Sequence, residues 1–171
     1  IALLAFEYAF WTNGFTYLEH QSEHSYLTQA ELLRDLFLAE DVAGQSGERE
    51  DAYEQFADDY AEKYNIRVTI IDAEGNVLGE SRGAGELMNN HLDREEVQKA
   101  LQGESNSLIR KSDTFDVDYC YCAVPVEDGD FRGVIRVAVP LQELQDMDYE
   151  FVRSTIMAIA ILAALILFLG L

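Results

Sequence analysis

The stretch RVTIIDAEGNVLGES, Arg67 to Ser81, decides the fold of this chain. Around its start, two sets of residues alternate with the period of two that is typical of a strand: Ile66, Val68 and Ile70 in one set, and Arg67, Thr69 and Ile71 in the other. The following DAEGN has the composition of a tight turn, and VLGES returns as a second strand. The stretch therefore predicts a β-hairpin of an antiparallel sheet.

Three further strands are predicted downstream. The segments SLIRKSD, DYCYCAVPVE and FRGVIRVAVPL are rich in β-branched and aromatic residues, and DGD between the last two predicts a tight turn. We therefore expect an antiparallel sheet of about five strands, in which the last two form a hairpin.

Helical spacing of apolar residues predicts two helices before the sheet. In residues 15–41 the apolar positions recur at intervals of three and four: Leu18, Tyr26, Leu27, Ala30, Leu33, Leu36 and Phe37. GQSGE is expected to end this long helix. A second helix is predicted over residues 49–64, with a stripe formed by Tyr53, Phe56, Ala57, Tyr60 and Tyr64. Helices segregated over an antiparallel sheet give an α+β fold in a single ordinary domain.

The charge balance restricts the possible partners. The chain has 32 Asp and Glu residues against 12 Lys and Arg, a formal net charge of -20 at pH 7. This excess of negative charge argues against binding nucleic acid or anionic lipid through the domain as a whole.

Both ends of the chain are apolar. Residues 154–171, STIMAIAILAALILFLGL, carry no charge and have the length of a membrane helix. Residues 1–11, IALLAFEYAFW, include the interface-type aromatics Tyr8 and Trp11, and an ordinary apolar helix start is the alternative interpretation. We predict the end of a first transmembrane helix over residues 1–13, an extracytoplasmic domain over residues 14–150, and the start of a second transmembrane helix over residues 151–171. The chain is then expected to be part of a longer membrane protein.

The segment NNHLDREEVQKALQG, Asn89 to Gly103, predicts a third helix with its start signals. Asp93 as N-cap and Glu96 three residues later form a capping box, and Leu92 with Val97 form a hydrophobic staple. Gly103 suits the terminating position. These assignments leave His91 and Arg94 without a role.

Five stretches, in order, resemble the small extracytoplasmic PAS-like sensor domain, also called PDC or Cache-type, of phosphate-regulon-type and cell-wall-type sensor histidine kinases. They are RVTIIDAEGNVLGES, NHLDREEVQKALQG, IRKSDT, YCYCAVPV and GVIRVAVPL, and they cover Arg67 to Leu141. The resemblance implies a PAS-like sheet with a long N-terminal helix and covering helices, looped outside the cell membrane between two transmembrane helices. It also implies a homodimer whose cytoplasmic part contains a HAMP-like relay and a histidine kinase.

The resemblance further implies a ligand pocket between the sheet and the helices and loops that cover one face. The side chains expected nearest to it are His91, Arg94, Arg110, Tyr121 and Arg136. Arginine presents a planar fork of donors that suits carboxylates and phosphates. The alternative for each arginine is an ion pair with a surface carboxylate of this acidic domain.

Three other patterns are considered as cation or redox sites. His20 and His24 lie one helical turn apart beside Glu19 and Glu23, a possible metal or proton-responsive site, for which a solvated helix face is the alternative. The acidic residues Glu143, Asp146, Asp148 and Glu150 suggest either cation sensing beside the membrane or solubility alone. Cys120 and Cys122 point to one face of a strand and are interpreted as small buried residues without a disulfide.

No sequence motif of a catalytic site is present, since GxSxG, HExxH and a Gly-rich phosphate loop are all missing from the chain. We therefore expect this chain to be no enzyme and to need no cofactor. The leading hypothesis is the signal-sensing region of a two-component sensor histidine kinase, which responds to an unknown small ligand, cation or protein partner. The alternatives are the sensor domain of a chemoreceptor or cyclic-nucleotide enzyme, and a protein-interaction module without a small ligand.

Overall fold

The computed structural model describes residues 2–45, 51–81, 90–112, 117–141, 153–161, 164–165 and 168–170. Its elements are α1 (Ala2–Ala39), α2 (Val42–Gln45), α3 (Ala52–Tyr64), β1 (Arg67–Asp72), β2 (Val77–Glu80), α4 (Glu95–Leu101), β3 (Asn106–Lys111), β4 (Asp118–Asp128) and β5 (Phe131–Pro140). The strands form a five-stranded sheet in the order β2-β1-β5-β4-β3. The predicted α+β fold, with its antiparallel sheet and long N-terminal helix, is confirmed.

The helix α1 runs through Asn13 and Gly14 without a break, as the predicted long helix requires. It ends before the predicted GQSGE, because Asp41 adopts a left-handed backbone conformation (φ 52°) and the short helix α2 follows. In the described part of the chain, no helix combines the length and the apolar character needed to cross a membrane. The two predicted transmembrane segments stay predictions.

The hairpin that decides the fold forms as predicted, with one irregularity. Thr69 of β1 lies opposite Glu80 of β2, and Ile70 lies opposite Gly79. The register then shifts, so that Ile71 lies opposite Val77. On its other side β1 pairs with β5, where Thr69 lies opposite Arg136. The neighbouring strands β2, β1 and β5 therefore place Glu80, Thr69 and Arg136 on the same face of the sheet.

One face of the sheet, called here the helix face, packs against α1 and α3. The ring of Phe37 in α1 meets the ring of Phe56 in α3 edge-on, with centroids 5.4 Å apart, and that of Phe131 in β5 at 5.6 Å. A Cβ atom added to Gly79 would lie 2.5 Å from the backbone of Tyr53, so α3 rests directly on β2. The buried strand residues of this face are apolar: Val68, Ile70, Cys120, Cys122, Val124, Ile135 and Val137.

The opposite face, called here the site face, is covered by α4. A small apolar cluster attaches this helix to the sheet: Ile71, Val97, Ala100, Ala123 and Val134, all fully buried, with Leu101 packed against it. The cluster lies beneath the middle of α4. The first turn of the helix is therefore held over the strands that carry the polar residues described below.

The predicted start of α4 is wrong. The N-cap is Arg94 rather than Asp93, and no side chain caps the helix. Glu96 is fully buried and its carboxylate faces arginines of the sheet, so the capping box does not form. The two guanidinium groups attract the carboxylate of Glu96 more strongly than an exposed cap, which contributes about 1 kcal/mol. Leu92 is 43% exposed and, with Arg94 as N-cap, does not occupy the staple position.

The predicted end of α4 is confirmed at Gly103. Its φ is 93°, in the left-handed region that glycine adopts without strain. The amide of Gly103 donates to the carbonyl of Ala100, and the amide of Glu104 donates to that of Lys99. These two bonds form a Schellman motif, which satisfies the last carbonyls of the helix.

The described chain divides into two compact units, Ile1–Arg110 with Tyr119–Val139, and Lys111–Asp118 with Pro140–Leu171. In the second unit the amide of Leu141 donates to the carbonyl of Asp118 at 2.9 Å, and residues 153–161 are helical. Residues 142–152, at the junction with the second predicted membrane segment, lie outside the described residues. The acidic group from Glu143 to Glu150 lies outside them too.

Candidate functional site

A line of polar side chains crosses the site face and draws on every strand of the sheet. In strand order it consists of Glu80 from β2, Arg67 and Thr69 from β1, Arg136 from β5, Tyr121 from β4 and Arg110 from β3. We call this set the polar row. All of its members except Arg110 are buried. Two further side chains reach it from above, His91 from the loop before α4 and Glu96 from the first turn of α4.

The Glu80 end of the polar row is internally satisfied. The Nε of Arg67 donates to one oxygen of Glu80 at 2.9 Å, and the hydroxyl of Thr69 donates to the other at 2.8 Å. Both carboxylate oxygens therefore have a partner, and the charges of Arg67 and Glu80 cancel. A buried pair with this geometry is a stable part of the scaffold rather than an open binding group.

The centre of the polar row is less well satisfied. One oxygen of Glu96 lies 3.6 Å from Nη1 of Arg136 and 3.5 Å from Nη2 of Arg110. These separations are longer than the roughly 2.7–2.9 Å of a strong guanidinium–carboxylate bond. Glu96 is fully buried and Arg136 is 2% exposed, so both charges have left water without forming a close pair.

The ring of Tyr121 supports both arginines from the sheet. The guanidinium carbon of Arg110 lies 4.1 Å from the ring centroid, and that of Arg136 lies 5.4 Å from it. Such cation–π contacts contribute about 0.5–2 kcal/mol and orient the planar groups. Tyr121 in turn stacks on Tyr119, with centroids 5.8 Å apart. The two arginines are thus held over an aromatic surface with their donors turned towards α4.

His91 is buried, and its contact with Arg136 defines its protonation state. Nη1 of Arg136 lies 2.9 Å from Nδ1 of His91. Because guanidinium groups only donate, Nδ1 accepts this bond and the ring proton resides on Nε2. Burial, together with the charges of Arg136, Arg94 and Arg67, lowers the pKa of His91 from 6.5 to about 4. The ring is therefore neutral at physiological pH and offers one N–H donor.

The β1–β2 turn fixes the position of His91. The carboxylate of Asp72 accepts hydrogen bonds from the amides of Glu74 and Asn76, which closes the turn. Asn90 donates to the carbonyl of Glu74 at 2.8 Å, and the amide of His91 donates to the carbonyl of Gly75 at the same distance. Gly75 has a φ of 84°, and an added Cβ would lie 2.6 Å from Asn90, so only glycine fits at this position.

Several buried polar atoms around the centre of the polar row have no hydrogen-bond partner in the described part of the chain. They include Nε2 of His91, Oε2 of Glu96 and Nε of Arg136. Each unsatisfied buried group costs about 1–3 kcal/mol. Two of these atoms are donors and one is an acceptor. The arrangement can therefore hold a small anion that also donates a hydrogen bond.

The structure brings the predicted site residues His91, Arg110, Tyr121 and Arg136 together. The fifth, Arg94, is half-buried at the start of α4, where its charge contributes to the low pKa of His91. The alternative for these arginines was an ion pair with a surface carboxylate. The structure places the buried carboxylate of Glu96 beside both Arg110 and Arg136.

Sequence reasoning missed Glu96, Glu80, Arg67 and Thr69. The prediction assigned Glu96 to helix capping, and it interpreted Arg67 and Thr69 only as the second set of an alternating strand. In the structure helices lie on both faces of the sheet, so the polar residues at every second position of β1 are buried and paired. The sequence predicted helices over the sheet without assigning them to both faces.

The remaining candidate sites show ordinary contacts. Nδ1 of His20 lies 3.3 Å from Glu23, and Nδ1 of His24 lies 3.3 Å from the Thr28 hydroxyl, on an exposed part of α1. Among the described residues no group of three metal-ligating side chains is assembled. On the helix face, the free thiols of Cys120 and Cys122 are buried with their sulfurs 3.7 Å apart. The hydrogen bond between them and burial both raise the pKa of Cys122.

A cavity of about 170 Å³ lies at the other end of α4. Its lining comes from the helix end and from strands β4 and β5: Ala73, Ala100, Leu101, Gly103, Pro125, Val126, Glu127, Arg132 and Gly133. None of the five predicted site residues belongs to this lining. The guanidinium of Arg132 pairs with the carboxylate of Glu127 at 3.3 Å, and both are exposed.

Comparison with known proteins identifies the architecture. The family model described as single Cache-like matches residues 17–140. No curated protein sequence matches the chain. The sensor domain of the Vibrio cholerae histidine kinase DctB is similar in structure, with a TM-score of 0.68 and 19% identity. The match covers 82% of this chain and 57% of that one, so this chain spans little more than half of the DctB domain.

Two further solved structures share the fold. The Escherichia coli DcuS sensor domain aligns with a TM-score of 0.58 and 13% identity, covering 74% of this chain and 96% of that one. The ligand-binding domain of the Campylobacter jejuni chemoreceptor Tlp3, in complex with L-valine, aligns with a TM-score of 0.57 and 15% identity, covering 85% and 65%. At these identities the likeness shows the fold alone.

Proposed function

The chain belongs to the single Cache-like family, and we propose that it is the extracytoplasmic ligand-sensing region of a membrane-bound sensor histidine kinase. The ligand is a small carboxylate-bearing molecule, bound on the site face at Arg136, Arg110 and His91. The chain itself binds the ligand and transmits the signal, and it catalyses no reaction. Relatives in fold serve as sensor domains of histidine kinases, which supports this output.

The observation that carries the proposal is the position of Arg136. It is the charged residue in the buried run Gly133–Val139 of β5, a central strand covered on both faces. A buried charge without full compensation costs several kcal/mol. Here Nε of Arg136 has no partner within the described residues, and the Glu96 carboxylate stays 3.6 Å away. A carboxylate ligand supplies the missing charge and acceptors.

The proposed route of signal transmission begins at the residues that contact the ligand. The ligand contacts the sheet through Arg136 and Arg110, and it contacts α4 through Glu96. A ligand shifts an equilibrium only by its differential affinity for two states. In the proposed mechanism the liganded sheet repacks against α1 across the helix face, and in a homodimer α1 carries the change to the membrane. This route uses the continuity of α1 through Asn13 and Gly14.

Structural similarity to a chemoreceptor supports a second candidate for the signalling protein to which this region belongs. The Tlp3 structure in complex with L-valine shares the fold, so the same ligand-sensing region suits a chemoreceptor as well as a kinase. In full-length protein in native membranes, a bound ligand is expected to change the incorporation of labelled phosphate into a histidine. Ligand-dependent receptor methylation, or cyclic-nucleotide synthesis, without phosphohistidine would contradict the kinase assignment and leave the ligand site untouched.

Ligand binding is tested by a thermal-shift screen of small organic anions on the whole chain in detergent. We expect one or more carboxylates to raise the melting temperature of the wild type and of Arg132→Gln, but not of Arg136→Gln. Arg132 is the matched control, since it lies on the same strand and the same face but is exposed and paired with Glu127. If Arg136→Gln fails to fold, Arg110→Gln replaces it, because Arg110 is only half-buried.

Stabilisation by carboxylates that persists in both Arg136→Gln and Arg110→Gln would overturn the proposed site. Loss of binding in Arg132→Gln alone would place the ligand in the cavity at the end of α4 instead.

A further inference from the structure

We propose that ligand binding at the centre of the polar row is coupled to the uptake of a proton by His91, so that the site responds to acidity as well as to the carboxylate. The inference rests on the proposed function, because it assumes that the ligand carboxylate contacts His91 and Arg136. It goes further in stating how the affinity of that site is regulated.

The two ring nitrogens of His91 have different surroundings. Nδ1 accepts a hydrogen bond from Nη1 of Arg136 at 2.9 Å, and the same Nη1 lies 3.6 Å from the carboxylate of Glu96. Nε2 is buried and has no hydrogen-bond partner within the described residues. In the free protein the ring therefore carries its proton on Nε2, and Nδ1 takes a second proton only after Arg136 has given up its bond.

The charges around the ring favour its neutral form. Arg136 on β5, Arg67 on β1 and Arg94 at the start of α4 all place positive charge near His91, and Asp93 contributes an opposing negative charge. Burial is the largest cause of the lowered pKa of His91, about 4, and the three arginines add to it. A further negative charge at the ring acts against these arginines and raises the pKa.

A bound carboxylate supplies that negative charge and also frees Nδ1. One carboxylate oxygen accepts the hydrogen bond from Nε2–H, which brings the charge into direct contact with the ring and favours the imidazolium form. The other oxygen gives Arg136 a new acceptor, so that its Nη1 turns from Nδ1 of His91 to the ligand. Nδ1 then takes up a proton that comes from the solvent.

His91 is held at its backbone, so the ligand meets the ring where the structure shows it. The amide of His91 donates to the carbonyl of Gly75 at 2.8 Å, and Asn90 donates to the carbonyl of Glu74 at the same distance. The ring therefore responds to the ligand by a change of protonation rather than by displacement of its loop.

The sign of the pH effect follows from the pKa of His91 in the two states. In the free protein His91 titrates near 4, and in the complex its pKa is higher because of the added negative charge. The complex then binds the proton more readily than the free protein does. Affinity therefore rises as the pH falls from the pKa of the complex towards 4, by at most about tenfold per pH unit for one proton.

The test measures how the affinity for named carboxylates depends on pH. Pyruvate, L-lactate and each carboxylate that binds in the thermal-shift screen are titrated by calorimetry into the whole chain in detergent, between pH 7.5 and pH 5. Pyruvate and lactate stay ionised over this range, so their own titration does not contribute. We expect the dissociation constant of a bound carboxylate to fall by about threefold or more towards pH 5. Titrations at pH 5.5 in two buffers of different ionisation enthalpy should show a net uptake of protons.

The variant His91→Gln keeps a side-chain N–H donor but does not titrate. We expect its dissociation constant for the same carboxylate to change by less than about twofold over the pH range. Arg132→Gln, the matched control at an exposed arginine, should keep the pH dependence of the wild type.

If His91→Gln does not fold or does not bind, the ¹⁵N signals of the imidazole ring decide the proposal. They are recorded in the double variant His20→Gln with His24→Gln, in which His91 is the one histidine of the chain. At pH 5.5 both ring nitrogens should be protonated in the complex, and Nε2 alone in the free protein.

Carboxylate binding that is lost in Arg136→Gln but is independent of pH in the wild type would overturn this inference and leave the proposed ligand site standing. An equal pH dependence in His91→Gln, or a ring that stays neutral in the complex, would overturn it as well. If no carboxylate binds at any pH, the proposed function fails together with the inference.

Discussion

The two faces of the sheet are built from neighbouring residues of the same strands, yet they differ in every property that bears on function. Ile70 and Ile135 on the helix face lie opposite each other and are fully buried among apolar side chains. One residue away, Thr69 and Arg136 lie opposite each other on the site face, where the polar row runs. On the helix face, the buried residues described above are apolar and are stabilised by packing alone. Within the described residues, the site face leaves buried donors and an acceptor without hydrogen-bond partners.

The contrast shows how a strand can serve stability and recognition together. Because side chains alternate between faces, each strand contributes apolar residues to α1 and α3 and a polar residue to the site. A substitution on the helix face should change the free energy of unfolding. A substitution at the centre of the polar row should change which ligands bind.

The largest expected effect is the loss of Phe37 from the helix face. Its ring is fully buried and contacts Tyr53, Phe56 and Phe131. Phe37→Ala should lower the free energy of unfolding by about 3–5 kcal/mol, the usual cost of a cavity of this size. Urea unfolding measures the change. A loss below about 1 kcal/mol would show that α1 is not part of the stable core.

The second effect contrasts a buried ion pair with an exposed one. Glu80→Gln removes the charge that compensates buried Arg67, and we expect a loss of about 3 kcal/mol. Glu127→Gln, the control, breaks the exposed pair with Arg132 and should change stability by less than about 1 kcal/mol. Equal losses in the two variants would contradict the assignment of Glu80 and Arg67 to a water-excluded scaffold.

The third effect is a pH dependence carried by His91. Its folded pKa of about 4 lies below its unfolded value near 6.5, so the unfolded state binds the proton more readily. Stability is therefore lost as the pH falls from 6.5 towards 4, and the contribution of His91 to this loss should be about 2 kcal/mol between pH 6.5 and 4.5. Thermal unfolding of wild type and His91→Gln over this range measures it. Parallel profiles of the two proteins would show that His91 is not buried in its neutral form.

The smallest effect is expected at the end of α4. Gly103 has a φ of 93°, and nothing lies within 4 Å of an added Cβ atom. Gly103→Ala should therefore cost about 1 kcal/mol through backbone strain alone. Carboxylate binding should stay the same, because the substitution is remote from the polar row. Chemical denaturation and a repeat of the thermal-shift screen check both parts, and altered carboxylate binding would show that the end of α4 takes part in the ligand site.

The fold was more predictable from the sequence than the site. The hairpin and the later strands were placed correctly, because they depend on residues close together in the sequence. Examples are the alternation around Val68 and Ile70 and the turn residues Asp72 to Asn76. Glu96 shows why the site was not. Its spacing from Asp93 satisfies a local rule for helix capping, but arginines from β3 and β5 compete for the same carboxylate. That competition depends on contacts between residues far apart in the sequence, which a local pattern does not contain.

The polar row was likewise not predicted, because its residues are spaced as in an ordinary strand. Arg67, Arg110 and Arg136 each look like ordinary strand residues, since one polar side chain in two is normal for a half-exposed sheet. Only the coverage of the site face by α4 buries Arg67 and Arg136 and half-buries Arg110. Tyr121 and His91 were included among the predicted site residues because the family resemblance, rather than the residues alone, pointed to that face.

The most direct test of the account is a side-chain NMR titration on protein labelled with ¹⁵N at arginine and histidine and with ¹³C at isoleucine methyl groups. On adding a carboxylate that binds in the thermal-shift screen, we expect the Nε–H signal of Arg136 and the Nε2–H signal of His91 to shift together and saturate at one concentration. The methyl signal of Ile70 on the helix face should move far less. Saturable shifts at Arg132, with those of Arg136 and His91 unchanged, would contradict the account, because the ligand would then occupy the cavity at the end of α4.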